Sequence, residues 1–197
     1  MEQSKTEQYI PISVSARHVH LDLATFRLLF GENAEPTVKK ELAAPGDFLC
    51  NERVDLVGPK GVIRNVAILG PFRKKPQVEI SITDSYTLGT KINIKNSGDL
   101  EQSAPIVLRS PLAEVSLKEG MIAALRHVHM RPEHATAFGV KDRDIVNVLV
   151  ETERSLVFRN VLVRVDPSYI LIMHIDTDEA NAGKVAEGDR GYLVDGI

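Results

Sequence analysis

The first half of the chain alternates between short apolar stretches and turn residues. The segment "YIPISVSARHVHL" alternates in polarity and is rich in Val, Ile and Ser, so it predicts a strand. The segment "DLATFRLLFG" predicts a short helix that Asp22 caps, because its apolar residues recur at helical spacing. Residues 44–70 predict short strands broken by Pro-Gly and Gly turns, and "QVEISITD" predicts a further strand.

The second half of the chain shows the same order of elements. The segment "MIAALRHVHM" predicts a strand, and "RPEHATAFG" predicts a short helix with proline in its first turn. Three further strands are predicted, in the segments "DIVNVLV", "LVFRNVLVRV" and "YILIMHID".

Matched motifs indicate that the two halves are copies of one unit. "IRNV" begins at residue 63 and "FRNV" at residue 158, an offset of 158 − 63 = 95. The same offset places Glu79 opposite His174, because 174 − 79 = 95. We therefore expect a mainly β protein made of two related small β-barrels with short capping helices. The predicted units are residues 10–95 and 105–197, joined by a linker at 96–105, with strand exchange between the units left open.

Composition narrows the class of protein. The chain has 197 residues, of which 43% are hydrophobic and 26% charged, as expected for a packed globule. Its net charge of −3 argues against a general nucleic-acid binder, which needs a basic field. Cys50 is the only cysteine, so no internal disulfide can form and a reducing compartment fits. No apolar stretch is long enough for a transmembrane helix or a signal peptide, so we expect a cytoplasmic protein without membrane contact.

The string Arg-His-Val-His occurs twice and supplies the candidate metal ligands. On a strand, residues i and i+2 point to the same face, so each His-x-His pair presents two imidazoles together. The repeat adds a third metal-ligating side chain to each pair. The two predicted sets are His18, His20 and Glu79 in the first half, and His127, His129 and His174 in the second.

Each set contains three protein ligands, which is typical of catalytic zinc sites that keep one position open. If the two halves face a common cleft, a pair of metal ions could clamp a phosphate group there. A single histidine in a strand is usually structural, but five of the six histidines occupy positions matched by the repeat. Arg17 and Arg126 precede the histidine pairs, and the sequence leaves their partners open.

A basic segment leads into the first set. Arg73, Lys74 and Lys75 come just before Glu79, and the Arg73 guanidinium could bind phosphate through two parallel hydrogen bonds. The chain has no Gly-x-Ser-x-Gly motif and no phosphate-binding loop of the Walker type. Cys50 is expected to be a small buried residue rather than a nucleophile.

Several of these motifs together resemble a known family. "SARHVHL", "GPFRKKPQVEIS", "NSGDL", "RHVHM" and "MHIDTDEAN" are similar to the PduL-type phosphotransacylases, the phosphate propanoyltransferase family. The resemblance extends from about Ile12 to near the C-terminus. It implies an enzyme that interconverts acyl-CoA and phosphate with acyl phosphate and free CoA, and a fold of two β-barrels with two zinc ions per chain.

The resemblance also implies roles for individual residues. The zinc ligands of the family fall on the six residues of the two predicted sets, and its phosphate-side arginine falls on Arg73. The positions that line CoA in the family fall on Ser15, Lys40, Leu69 and Asn181. A basic CoA-contacting residue is expected where this chain has Ala67.

The mechanism implied is direct attack of zinc-bound phosphate on the thioester carbonyl of a short-chain acyl-CoA. Two alternatives stay open: a two-metal hydrolase of a phosphoester or thioester, and a non-catalytic β-barrel protein stabilised by zinc. The sequence does not distinguish acetyl from propionyl chains, which differ by one methylene. Some relatives carry an N-terminal extension that directs them to bacterial microcompartments, and no such extension is evident here. A homodimer is compatible with the resemblance.

Overall fold

The computed structural model describes residues 8–195, which form fourteen strands and four short helices. The strands are β1 (Ile10–Ser15), β2 (His18–His20), β3 (Val38–Glu41), β4 (Phe48–Val57), β5 (Val62–Gly70), β6 (Gln77–Glu79), β7 (Ile94–Lys95), β8 (Ala104–Arg109), β9 (Glu114–Ala124), β10 (His127–Met130), β11 (Ile145–Val150), β12 (Leu156–Val165), β13 (Ile172–Asp176) and β14 (Arg190–Val194). The helices are α1 (Leu23–Phe30), α2 (Ile82–Leu88), α3 (Pro132–Phe138) and α4 (Thr177–Gly183). The protein is therefore mainly β, as the apolar pattern predicts.

The chain divides into two compact units. We call residues 15–125 the N-terminal barrel, and residues 126–195 with the described residues before Ser15 the C-terminal barrel. This division differs from the predicted units 10–95 and 105–197, because β1 belongs to the C-terminal barrel, whereas β8 and β9 belong to the N-terminal one. The first predicted unit thus gives β1 to the C-terminal barrel, and the second gives β8 and β9 to the N-terminal barrel, which is the exchange that the sequence left open.

The N-terminal barrel is a closed circuit of six strands. Hydrogen-bonded pairing runs β4–β5–β2–β6–β9–β8 and returns to β4. Strand β3 extends the sheet beside β4, and β7 lies beside β9. Its buried core contains Phe26 and Leu29 of α1 together with strand residues such as Val19, Val78 and Met121.

The C-terminal barrel is also a closed circuit of six strands. Its order is β1–β13–β10–β12–β11–β14, and β14 pairs with β1 to close it. Its separate core includes Ile12 of β1, Val128 of β10 and Met173 of β13. Two related β-barrels with short helices are therefore confirmed as the fold class.

Corresponding asparagines mark the same bulge in both barrels. Asn65 in β5 and Asn160 in β12 have φ angles of 60° and 55°. The pairing register of β5 with β4, and of β12 with β11, shifts at these positions. Asparagine tolerates the left-handed conformation better than most residues, so the shared "RNV" motif encodes a bulge that bends the strand.

Two stretches that were predicted as single strands are each divided between the barrels. "YIPISVSARHVHL" contains β1 and β2, and "MIAALRHVHM" contains the end of β9 and β10. The chain passes from one unit to the other between Val14 and Ser15, and again between Leu125 and Arg126. The apolar pattern does not reveal these crossings, since the strands on both sides of each crossing are buried in a core.

The observed helices agree in part with those predicted from the sequence. Asp22 accepts a hydrogen bond from the backbone N–H of Thr25 at 2.6 Å and caps α1, as predicted. In contrast, the end of the predicted strand "QVEISITD" is the start of α2, because Ser81 and Asp84 form a reciprocal capping box there. Among the described residues, no helix is long and apolar enough to cross a membrane.

Candidate metal-binding sites

The first predicted ligand set comes together in the N-terminal barrel. Strands β2 and β6 are antiparallel neighbours, and their register places His18 directly opposite Glu79. His18 Nε2 lies 3.6 Å from Glu79 Oε2, and the rings of His18 and His20 are edge to face with centroids 5.0 Å apart. One ligand atom from each of the three residues lies within 4.8 Å of the other two. The side chains thus converge from two neighbouring strands.

A hydrogen-bond network of residues outside the predicted set holds the Glu79 carboxylate. Ser97 Oγ donates to Glu79 Oε1 at 2.9 Å, and Gln77 Nε2 also donates to this oxygen. Gln77 Nε2 also donates to Ser97 Oγ at 2.8 Å, and Gln77 Oε1 accepts from the Gly98 N–H at 2.8 Å. Ser97 belongs to the stretch 96–105 that the sequence predicts as a linker; this stretch lies within the N-terminal barrel, and the Ser97 hydroxyl contacts Glu79.

The protonation states in this set favour metal binding. Burial above all, together with the nearby His18 and Arg73, lowers the pKa of His20 to about 3, so this imidazole is neutral at neutral pH. Burial alone would raise the pKa of Glu79, but His18, His20, the Ser97 hydrogen bond and Arg73 bring it down to about 2. A neutral imidazole and an ionised carboxylate are the forms that bind a divalent metal.

The second predicted set has the same construction in the C-terminal barrel. Strand β10 pairs with β13 so that His127 is directly opposite His174, as His18 is opposite Glu79. The three imidazole centroids are 4.6 Å apart for His127–His129, 5.1 Å for His127–His174 and 5.0 Å for His129–His174. Their ligand atoms also lie within 4.8 Å of one another.

Tyr169 and Arg164 adjoin this second set, and neither follows from the sequence repeat. The Tyr169 ring stacks on His129 with centroids 4.0 Å apart and an interplanar angle of 15°. Arg164 lies opposite His129 in the pairing of β12 with β10, and its guanidinium is 6.0 Å from the Tyr169 ring centroid. Burial, with His127, His174 and Arg164 nearby, lowers the pKa of His129 to about 2. His129 is therefore neutral, like His20.

The donor atoms fit divalent metal ions. His20 Nδ1 and His129 Nε2 are buried and have no hydrogen-bond partner, although a buried nitrogen is normally satisfied. Each of these atoms belongs to a residue of a triad whose ligand atoms lie within 4.8 Å of one another, so one ion per triad could satisfy both orphaned atoms. In addition, the His18 ring binds the carbonyl oxygen of Ala16 through Nδ1 at 2.8 Å, which leaves Nε2 for a metal.

Arg73 lies beside the first triad, as its position in the sequence predicts. Its backbone N–H donates to the Leu21 carbonyl at 2.8 Å, and its Nη1 donates to Ser97 Oγ at 3.1 Å. The side chain is exposed, and its charge lowers the pKa values of His20 and Glu79. A cationic group thus borders the first triad at the protein surface.

The four residues matched to CoA contacts do not all lie in one unit. Ser15, Lys40 and Leu69 belong to the N-terminal barrel, and Asn181 lies on α4 of the C-terminal barrel. Of these, Leu69 lies on β5, the strand that pairs with β2, which carries His18 and His20 of the first triad. Lys40 is exposed on β3 and Asn181 is exposed on α4, so both side chains are accessible to a ligand.

Cys50 is a core residue, as expected, and is unsuited to act as a nucleophile. Its side chain is 1% exposed, and burial, with Glu52 nearby, raises its pKa to about 11. We expect the native protein to react with a chromogenic disulfide at pH 8 at least about 100-fold more slowly than a free thiol, because only the thiolate attacks. The measurement is the rate of colour formation before and after unfolding in denaturant, where one thiol per chain should react. Fast reaction of the native protein would contradict the burial of Cys50.

Comparison with known proteins identifies the family of the chain. A sequence model of the family described as phosphate propanoyltransferase matches residues 11–186. A phosphate propanoyltransferase of Thermotoga maritima is 47% identical over 192 residues, which are 97% of this chain and 91% of that protein. Proteins of the same name from Lachnoclostridium phytofermentans and Listeria monocytogenes are 50% and 46% identical, each over 95% of this chain and 88% of their own length. The chain therefore belongs to the phosphate propanoyltransferase family.

Proposed function

We propose that this protein is a phosphate acyltransferase that interconverts a short-chain acyl-CoA and phosphate with acyl phosphate and CoA. The observation that carries the proposal is the pair of equivalent three-ligand sites, each containing a buried imidazole nitrogen without a partner. Family membership supplies the reaction class, since the relatives are named for acyl transfer to phosphate. Propionyl-CoA is accordingly the first substrate to test, and acetyl-CoA the second.

Each triad is proposed to bind one zinc ion, giving two per chain. Three protein ligands, either two His with one Glu or three His, are the usual complement of a catalytic zinc site. When bound, zinc would supply Lewis-acid chemistry, which holds and partly neutralises phosphate so that it can attack the thioester carbonyl directly. The network of Gln77 and Ser97 keeps the Glu79 carboxylate in its binding orientation.

Arg73 is the proposed phosphate-binding residue of the chain itself. A guanidinium can donate two parallel hydrogen bonds to a phosphate and so fix its orientation, which lowers the entropic cost of reaction. The phosphate oxygen then forms a bond to the carbonyl carbon, and the carbon–sulfur bond breaks with release of the CoA thiolate. Buried Cys50, with its raised pKa, does not support a route through a covalent cysteine intermediate.

The test separates transfer from the two alternatives. Zinc-loaded protein is mixed with propionyl-CoA, and release of free thiol is followed with and without phosphate. Phosphate-dependent release, with acyl phosphate trapped by hydroxylamine, is the expected result, and a chelator should abolish it. Release without phosphate would identify a hydrolase, and zinc-loaded, folded protein with no turnover would identify a non-catalytic barrel. Either of these outcomes would overturn the proposal.

A further inference from the structure

The arginine that begins each Arg-His-Val-His string has a buried acidic partner. Arg17 forms two parallel bonds to Asp84, from Nε to Oδ2 and from Nη2 to Oδ1, each 2.9 Å long. Arg126 Nη1 binds Glu179 Oε1 at 2.7 Å, and its Nε donates to the carbonyl oxygen of Arg159 at 2.7 Å. These carboxylates are 7% and 19% exposed, so each needs a cationic partner.

The two pairs occupy equivalent places relative to the metal ligands. Asp84 follows Glu79 by 84 − 79 = 5 residues, and Glu179 follows His174 by 179 − 174 = 5. Each arginine immediately precedes the first histidine of its pair. Each ion pair therefore joins the start of the His-x-His strand to the helix that follows the third ligand.

The acidic residues also define the starts of those helices. Asp84 Oδ2 accepts from the Ser81 N–H at 3.4 Å, and the Asp84 N–H donates to Ser81 Oγ at 3.2 Å. In the same way, Glu179 Oε2 accepts from the Asp176 N–H at 3.0 Å, and Asp176 Oδ1 accepts from the Glu179 N–H at 2.8 Å. The same carboxylates thus bind the arginines and fix the backbone two residues after each third ligand.

We propose that Arg17 with Asp84, and Arg126 with Glu179, are positioning pairs that set the distance between the His-x-His strand and the third metal ligand of each site. Residues 17–20 and 79–84 form a closed frame around the first site, with the His18–Glu79 register on one side and the ion pair on the other. Residues 126–129 and 174–179 form the same frame around the second site. Arg17 donates both bonds to a buried carboxylate, whereas Arg73 donates to the Ser97 hydroxyl beside the first triad.

This inference rests on the proposed metal sites, and zinc affinity tests it apart from catalysis. Removing one pair should lower the affinity for one of the two zinc ions by about 10- to 100-fold, as loss of an orienting partner typically does. The affinity for the other ion should stay unchanged. The variants are Arg17→Gln and Arg126→Gln in the full-length chain, each serving as the matched control for the other site. Zinc is titrated against a chromophoric chelator, and the visible spectrum of the cobalt-substituted protein reports ligand geometry.

Milder variants keep the test decisive if a glutamine substitution prevents folding. Arg17→Lys retains the charge but loses the two parallel bonds, so it should give a smaller loss of affinity at the first site. Asp84→Asn keeps an oxygen for the helix cap and loses the ion pair, so it should resemble Arg17→Gln. Folding of each variant is checked by circular dichroism and thermal melting.

The outcomes separate the two proposals. A lower affinity for a single zinc ion in each variant, with an altered spectrum of the cobalt-substituted protein, would support the proposed role of the positioning pairs. Lower melting temperatures with both affinities unchanged would overturn them and leave a stabilising role only. An equal loss of affinity for both zinc ions in either variant would also overturn the proposed role, because the effect would not be local to one site. Wild-type protein that binds no zinc would instead overturn the proposed metal sites.

Discussion

The His174→Ala variant is expected to bind one zinc ion per chain instead of two, and to form acyl phosphate at least roughly 1,000-fold more slowly. The second triad loses one of its three ligands, and two imidazoles alone are too few to retain the ion. A two-metal mechanism uses both ions to bind and neutralise phosphate, so loss of one removes several kcal/mol of stabilisation. Zinc content measured by mass spectrometry and phosphate-dependent thiol release are the two readouts.

His134→Ala is the matched control for this change. His134 is the one histidine of the six that lies outside the two triads, and it lies on α3 of the same barrel, where its Nδ1 accepts a hydrogen bond from the Arg131 N–H at 3.3 Å. Its replacement should cost a helix-end hydrogen bond of about 1 kcal/mol and leave both ions bound. Two zinc ions in the His174→Ala variant would exclude His174 as a ligand.

The convergence of each predicted set of three residues could be predicted because it depends on local rules. His18 and His20 share a strand face because they are two residues apart, and the repeat identifies Glu79 without knowledge of the pairing. The antiparallel register then places Glu79 opposite His18, and the same register places His174 opposite His127. Short-range periodicity and an internal copy were sufficient for this part of the site.

Two of the residues that contact the candidate ligands, Ser97 and Tyr169, could not be predicted, because their contacts join distant segments. Ser97 lies 18 residues from Glu79 in a stretch rich in turn-forming residues, so composition favoured a linker there. Gln77 could have been found, since it shares a strand face with Glu79 and its side chain therefore points the same way. Tyr169 has no histidine neighbour in sequence, and its stacking on His129 follows only from the tertiary fold.

The exchange of β1, β8 and β9 between the barrels could not be predicted either, because it also depends on contacts between distant segments. Both copies carry the same apolar alternation, so a strand from one copy satisfies the core of the other equally well. Local pattern therefore predicts the number of barrels but not which strand completes each one. The sequence does not predict the short helix α2, because its capping box at Ser81 immediately follows a strand. The apolar residues of α2 also fit the spacing of a strand as well as that of a helix.

Arg73→Ala is expected to lower kcat with phosphate by about 100- to 1,000-fold while both zinc ions stay bound. The Arg73 side chain hydrogen-bonds to Ser97, which itself contacts Glu79, so the guanidinium adjoins the first triad without being one of its ligands. Loss of the guanidinium removes a preorganised hydrogen-bond donor that would bind the phosphate, but it removes none of the metal-binding atoms. Arg73→Lys should recover part of the rate, since lysine restores the charge but not the two parallel bonds.

Arg109→Ala is the control for the loss of one positive charge in the same barrel. Arg109 is 42% exposed on β8 and pairs with Glu114, an exposed contact worth at most about 1 kcal/mol. Steady-state rates over a range of phosphate concentrations, with zinc content measured on the same samples, distinguish the two arginines. Full activity of the Arg73→Ala variant would remove Arg73 from the mechanism. A parallel loss of zinc would instead assign it to metal retention, since the Ser97–Glu79 network would then depend on its charge.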